Sequence, residues 1–113
     1  MNKTHAVIKR PGQPAAIELV DTSLDGINTI VEGMSGTAMR ARAFFPDGRD
    51  LVVHCNDDGL ALGLPPNLFR PSDGAPVVGV AIATKVDRDG YALPMTEADA
   101  AAALALIAGM EAV

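Results

Sequence analysis

Apolar and polar positions along the chain fall into short runs whose period changes several times. Residues 4–20 (THAVIKRPGQPAAIELV) place two apolar runs on either side of Pro11-Gly12, a dipeptide that reverses the chain, and so predict a β-hairpin. The period then lengthens. Leu24, Ile27 and Val31 recur at i, i+3 and i+7 behind Asp21, Thr22 and Ser23, any of which can cap a helix, and Gly33 stands where a C′ glycine would end it. One short amphipathic helix is predicted. Residues 37–45 (TAMRARAFF) alternate imperfectly, the turn PDGR follows, and DLVVHC alternates again, which predicts a second hairpin. In its second strand Leu51, Val53 and Cys55 point one way, while Val52, His54 and Asn56 point the other.

Asn56-Asp57-Asp58-Gly59 predicts a further turn, because these residues tolerate positive φ and bond their own backbone, and LALGL after it reads as a short strand. Pro65 and Pro66 cannot donate to a ladder, so residues 64–76 are expected to be a loop. Residues 77–86 are the clearest strand. Val78, Val80, Ile82, Thr84 and Val86 share one face, and Val77, Gly79, Ala81 and Ala83 form a smaller face suited to a closely packed helix. That helix is predicted to start at Thr96, where Thr96-x-x-Asp99 resembles a capping box, and to run on through EADAAAALALIAGMEA. Over residues 98–110 its one charge is Asp99. A helix apolar on every side is expected to bury more than one face, here by packing on the sheet and touching a second subunit. Alanine acting as a neutral surface residue is the competing reading.

Together these elements predict an α+β fold: a mostly antiparallel sheet of about five or six strands built from hairpins, one short helix after the first hairpin, and a C-terminal helix packed on the sheet. A chain of 113 residues suits a single domain spanning residues 1–113. Its 49% hydrophobic and 20% charged residues exclude a largely disordered protein. The net charge of −5 gives no general attraction to phosphate backbones or anionic lipid, so nucleic acid is not an expected partner. Cys55 is the sole cysteine, so no disulfide can form within the chain, and a reducing cytoplasm is the expected setting. No stretch approaches the roughly 18 to 20 apolar residues of a membrane span.

Candidate chemistry is sparse. The two histidines, His5 and His54, have no i, i+4 partner and no HExxH context, so no metal site or cofactor is expected. Cys55 and His54 are neighbours on a strand and their side chains diverge, which argues against a Cys-His pair and for Cys55 in the core. NDDG lacks the further oxygen ligands of a calcium loop, and no phosphate-cradling glycine motif occurs. No catalytic residue is assigned. What remains is the Asn/Pro-rich stretch of residues 56–70, since binding residues often lie on such loops, together with Arg40 and Arg42, which are two apart on a predicted strand. The expected ligand-binding residues are therefore Arg40, Arg42, His54, Asn56, Pro66, Asn67 and Arg70. For Asn56 and Asn67 the competing reading is a side chain that bonds the backbone of its own turn.

Three segments carry a resemblance: V-I-x-x-P-G-x-P-x-x-x-E over residues 7–18, N-[DE]-[DE]-G-x-x-x-G-L-P-x-N over residues 56–67, and V-x-G-x-A over residues 77–81. In order and spacing the chain resembles the domain of unknown function 3846 family, small proteins of phage, plasmid and other mobile-element genomes. The resemblance covers nearly the whole chain and brings no catalytic residues with it. At the end of the first helix Glu32-Gly33 stands where the family pattern has a Gly-Gly pair, leaving Gly33 as the expected cap. The functional expectation is a non-enzymatic binding protein, a homodimer through the C-terminal helix, that captures a small nucleotide-derived signalling ligand in host-defence evasion. The alternatives are an acidic protein that inhibits a host protein or mimics DNA, and a small enzyme using Asp57, Asp58 or His54 as a base.

Overall fold

The computed structural model describes residues 3–41, 45, 47–70 and 74–110. Strands β1 (Thr4–Lys9) and β2 (Ala16–Val20) form the expected hairpin, with Thr4 opposite Val20 and Ile8 opposite Ala16. Gly12 takes φ 74° in its turn, and the Gln13 N–H donates to the Arg10 carbonyl at 3.1 Å. Helix α1 (Leu24–Ile30) follows, capped by Ser23, whose hydroxyl accepts from the Gly26 N–H. Strands β3 (Ser35–Ala41) and β4 (Asp50–Asn56) form the second hairpin. After β5 (Pro66–Phe69) and β6 (Pro76–Val78) come β7 (Ala81–Val86), β8 (Ala92–Leu93) and helix α2 (Glu97–Ala108).

Among the described residues the main sheet has six strands, in the order β2-β1-β7-β4-β3 with β8 paired to β7, and every pairing is antiparallel. The α+β architecture expected from the hydrophobic pattern is the one observed. Facing residues of antiparallel strands share a side of the sheet. Ile8, Ile82 and His54 therefore lie on one side, with α1 above them, and Val7, Ala83 and Val53 lie on the other. Helix α2 covers the second side, where Asp99 reaches Lys85 of β7 at 3.4 Å. Its capping box is complete: the Thr96 hydroxyl accepts from the Asp99 N–H, and the Asp99 carboxylate accepts from the Thr96 N–H. Ala100, Ala103 and Ile107 are buried against the sheet, and the outward positions Ala98, Ala101, Ala105 and Ala108 are all alanine.

Four local expectations are corrected. Residues 60–64 do not form a strand: the backbone closes on itself through Leu62 N–H to Asp58 O, Gly63 N–H to Leu60 O and Leu64 N–H to Gly59 O, leaving Leu60 and Leu62 exposed. Residues 64–76 are not all loop, because β5 pairs with β6 in a two-stranded ribbon, and Pro66 is tolerated at its first position. The single strand expected over residues 77–86 divides at Gly79. This glycine takes φ 74°, donates to the Pro65 carbonyl at 2.9 Å, and would bring a Cβ to 2.7 Å from Leu64 Cδ1. Finally, the left-handed residue that ends α1 is Glu32, at φ 61°, rather than Gly33. The Glu32 and Gly33 N–H groups bond Thr29 O and Asn28 O, the two bonds of a Schellman cap. Gly33 is small for another reason: a Cβ there would sit 2.6 Å from Asn56 Nδ2.

Candidate functional site

The residues leading into α1 build one wall of a concavity of about 540 Å³. Asp21 Oδ1 accepts from the Ser23 N–H at 2.9 Å, and Ser23 Oγ accepts from the Gly26 N–H at 3.2 Å. The Ser23 backbone N–H, and then its hydroxyl, hold the Asp21 carboxyl below the usual carboxylate range. Gly26 has to lack a side chain, since a Cβ there would collide with the Asp21 carbonyl. The chain therefore enters the helix in a fixed path that presents Asp21, Thr22, Ser23 and Leu24 to the cleft.

The opposite wall is the turn between β7 and β8. Asp87 Oδ1 accepts from the N–H groups of Asp89 and Tyr91 at 2.9 and 3.0 Å, and the Asp87 N–H donates to the Tyr91 carbonyl. Gly90 takes φ 89°, a conformation that favours glycine. Held this way, Tyr91 stands 73% exposed at the cleft mouth. The Arg40 guanidinium approaches the same turn, since a Cβ on Gly90 would lie 3.7 Å from Arg40 Nη2. Its Nη1 donates to Asp50 Oδ2 at 2.8 Å.

His54 forms the floor. Two residues before the end of β4, which lies between β3 and β7, it meets hydroxyls from both neighbours: Ser35 Oγ lies 3.2 Å from Nδ1 and Thr84 Oγ1 lies 3.2 Å from Nε2. Burial pushes its pKa down, so the imidazole is held neutral. Either hydroxyl can donate or accept, so both tautomers are accommodated.

The structure divides the expected binding residues. His54 and Arg40 come together around this cleft. Asn56 and Arg70 line a separate, smaller concavity of about 240 Å³ with Asp57, Leu60 and Pro76. Asn56 is committed to structure there, its Oδ1 accepting from the Asp58 N–H at 2.9 Å and its Nδ2 donating to the Glu32 carbonyl at 3.2 Å. Asn67 is not on an open loop. It is 2% exposed, its Nδ2 donates to Lys9 O and Gly79 O at 2.6 and 2.8 Å, and its Oδ1 accepts from Lys9 Nζ at 2.8 Å. Pro66 is exposed at the start of β5. Arg42 lies outside the described residues.

Sequence reasoning missed the wall residues Asp21, Ser23 and Tyr91, and also Lys9. The chain's single tyrosine, in a D-x-D-G-Y turn, was the available signal for one wall. Nothing in the pattern marked Lys9, which is 4% exposed with its ammonium bonded to the Asn67 amide and the Arg10 carbonyl. Cys55 is a buried core residue. Among the described residues no group of three or more His, Cys, Asp or Glu is placed to hold a metal ion, and no helix is long and apolar enough to cross a membrane. Comparison with protein-family models, with curated proteins and with solved structures gives no match to this chain.

Proposed function

We propose that this chain is a non-enzymatic binding protein that captures a small nucleotide-derived ligand in the cleft above His54. One observation carries the reading: an exposed aromatic ring and a carboxylate beside two hydroxyl residues line one concavity of about 540 Å³, and the Arg40 guanidinium lies beside Gly90 of its wall. That volume lies in the range of small-molecule sites, about 300 to 1,000 Å³. The Tyr91 ring offers a face on which a base can stack. Asp21, ionised and held by Ser23, accepts hydrogen bonds from sugar hydroxyls, and Arg40 at the rim pairs with a phosphate. Neutral His54 adds a polar floor without adding a charge that would need a counter-ion. In the mobile-element setting that the resemblance implies, such a protein would withdraw a signalling nucleotide from its host, acting in the cytoplasm as a homodimer in which α2 takes part.

Native mass spectrometry of freshly purified protein, followed by thermal-shift titration with mono-, di- and cyclic nucleotides, tests this. A retained mass in the nucleotide range, or a melting shift lost in Tyr91→Ala and weakened in Arg40→Ala, supports it. A bare protein whose melting temperature no nucleotide moves would sink it. A second reading, an acidic inhibitor of a host protein, draws on Leu60 and Leu62, which project from the turn beside Asp57 and Asp58. A stoichiometric host partner lost in Leu60→Ser/Leu62→Ser would favour it.

A further inference from the structure

Among the described residues the main sheet ends in β2 at one edge and β3 at the other, and β2 pairs with β1 alone. An edge strand presents unpaired N–H and C=O groups, and proteins that must stay monomeric blunt such edges with proline, bulges or lysine. Here β2 (AIELV) has no proline, lysine or bulge, its one charge, Glu18, is paired with Arg10, and its register with β1 is regular over five pairs. Two of its residues, Ile17 and Leu19, are 38% and 59% exposed. They lie on the side of the sheet that α2 covers, since Ile17 faces Val7 across the hairpin and Val7 shares that side with Ala83.

The flank of α2 above this edge is apolar as well. The helix runs along β1, from Met95, whose N–H bonds Thr4 Oγ1, to Met110, whose carbonyl accepts from the Phe69 N–H. Asp99 turns toward Lys85 of β7, so the opposite flank, carrying Ala101, Leu104 and Ala108 at helical spacing, overhangs β2. Backbone edge, Ile17, Leu19 and this helix flank make one continuous surface.

We infer that a second copy of this chain pairs with β2 antiparallel, about a two-fold axis perpendicular to the sheet. A foreign peptide strand would satisfy the edge backbone but would leave the apolar face uncovered. A second copy brings both a strand and a helix, because this axis keeps the two α2 helices on the same side, where their small residues permit close approach. Facing residues must share a side, which leaves registers centred on Ile17, Glu18 or Leu19. Centring on Glu18 would oppose two carboxylates, and centring on Leu19 would set Ile17 against Asp21. The register is therefore centred on Ile17, with Leu19 facing the second copy's Ala15 and each Glu18 beside an alanine, still paired with its own Arg10 at 2.7 Å.

The surface deepens the homodimer part of the proposed reading and does not depend on the ligand. Sedimentation velocity across a micromolar concentration range is expected to give twice the 11.7 kDa chain mass. Ile17→Lys/Leu19→Lys is expected to weaken association by on the order of 100-fold or more with an unchanged far-UV spectrum. Ala105→Glu, on the helix face pointing away from the sheet, is expected to leave the dimer intact. A monomer at every concentration overturns the inference, and so does a dimer that tolerates both lysines or that Ala105→Glu breaks. A monomer that still binds nucleotide removes the edge pairing and leaves the cleft standing.

Discussion

The main sheet and the excursion between β4 and β7 reach burial by different means. In β1, β4 and β7 most of the buried groups are apolar, among them Val7, Ile8, Leu51, Val53, Ile82 and Ala83, with Lys9, Asp50, Asn56 and Thr84 as buried polar residues among them. In the excursion two asparagine amides set the course of the backbone. Asn56 ties the start of the turn to the end of α1, and Asn67 ties β5 to β1 and to the break at Gly79. Apolar burial is nearly indifferent to partner, whereas an amide requires a particular donor and acceptor at hydrogen-bond distance. The sheet is therefore robust in outline, and the excursion depends on a few contacts.

Substitutions test this contrast, the largest effect first. Ile82→Ala removes a side chain at the centre of the sheet and is expected to lower the unfolding free energy by about 3 to 4 kcal/mol in urea titration. Asn67→Ala removes the amide's bonds to two carbonyls and leaves the Lys9 ammonium with the Arg10 carbonyl. Its expected cost is about 2 to 3 kcal/mol, well above that of Lys9→Met, and the double variant should be clearly non-additive. If Asn67→Ala costs no more than a surface change, amide anchoring is the wrong account of the excursion. Gly33→Ala drives a Cβ into the Asn56 amide and is expected to cost about 1 to 2 kcal/mol, a loss that Asn56→Ser should partly relieve.

Glu32→Gly has the opposite sign. Glycine occupies the left-handed region without the Cβ clash, so the melting temperature should rise with a gain of about 1 kcal/mol. The smallest effect is a pH dependence from the one imidazole in the sheet's polar floor. Burial lowers the His54 pKa in the folded state, so below the ordinary value near 6.5 the unfolded chain binds the proton first. Its contribution is present above that pH and declines as pH falls through it. Stability measured from pH 7.5 to 5.5 should drop more steeply in the parent than in His54→Gln.

The same contrast explains what could be read in advance. The two hairpins, a helix cap within Asp21–Ser23 and the capping box at Thr96-Asp99 were legible because each rests on residues close in sequence. The strand expected at LALGL was wrong because apolar residues in a tight turn look like a buried run when nothing shows that Leu60 and Leu62 face solvent. Of the site, His54 and Arg40 were chosen from the sequence, but not their company. Asp21 and Tyr91 are separated by seventy positions, which no local pattern connects.

By itself the sequence determined the class of fold, the two hairpins, the two helices, and the alternation of faces along β4 and β7, because alternation and capping act over a few residues. Only the tertiary structure decided that Asn67 is an internal anchor rather than a ligand contact, that Glu32 carries the left-handed turn, and that the walls of the cleft meet above His54. Those outcomes depend on which distant groups become neighbours, and a side-chain amide or a carboxylate acquires its role only from the partner it finds.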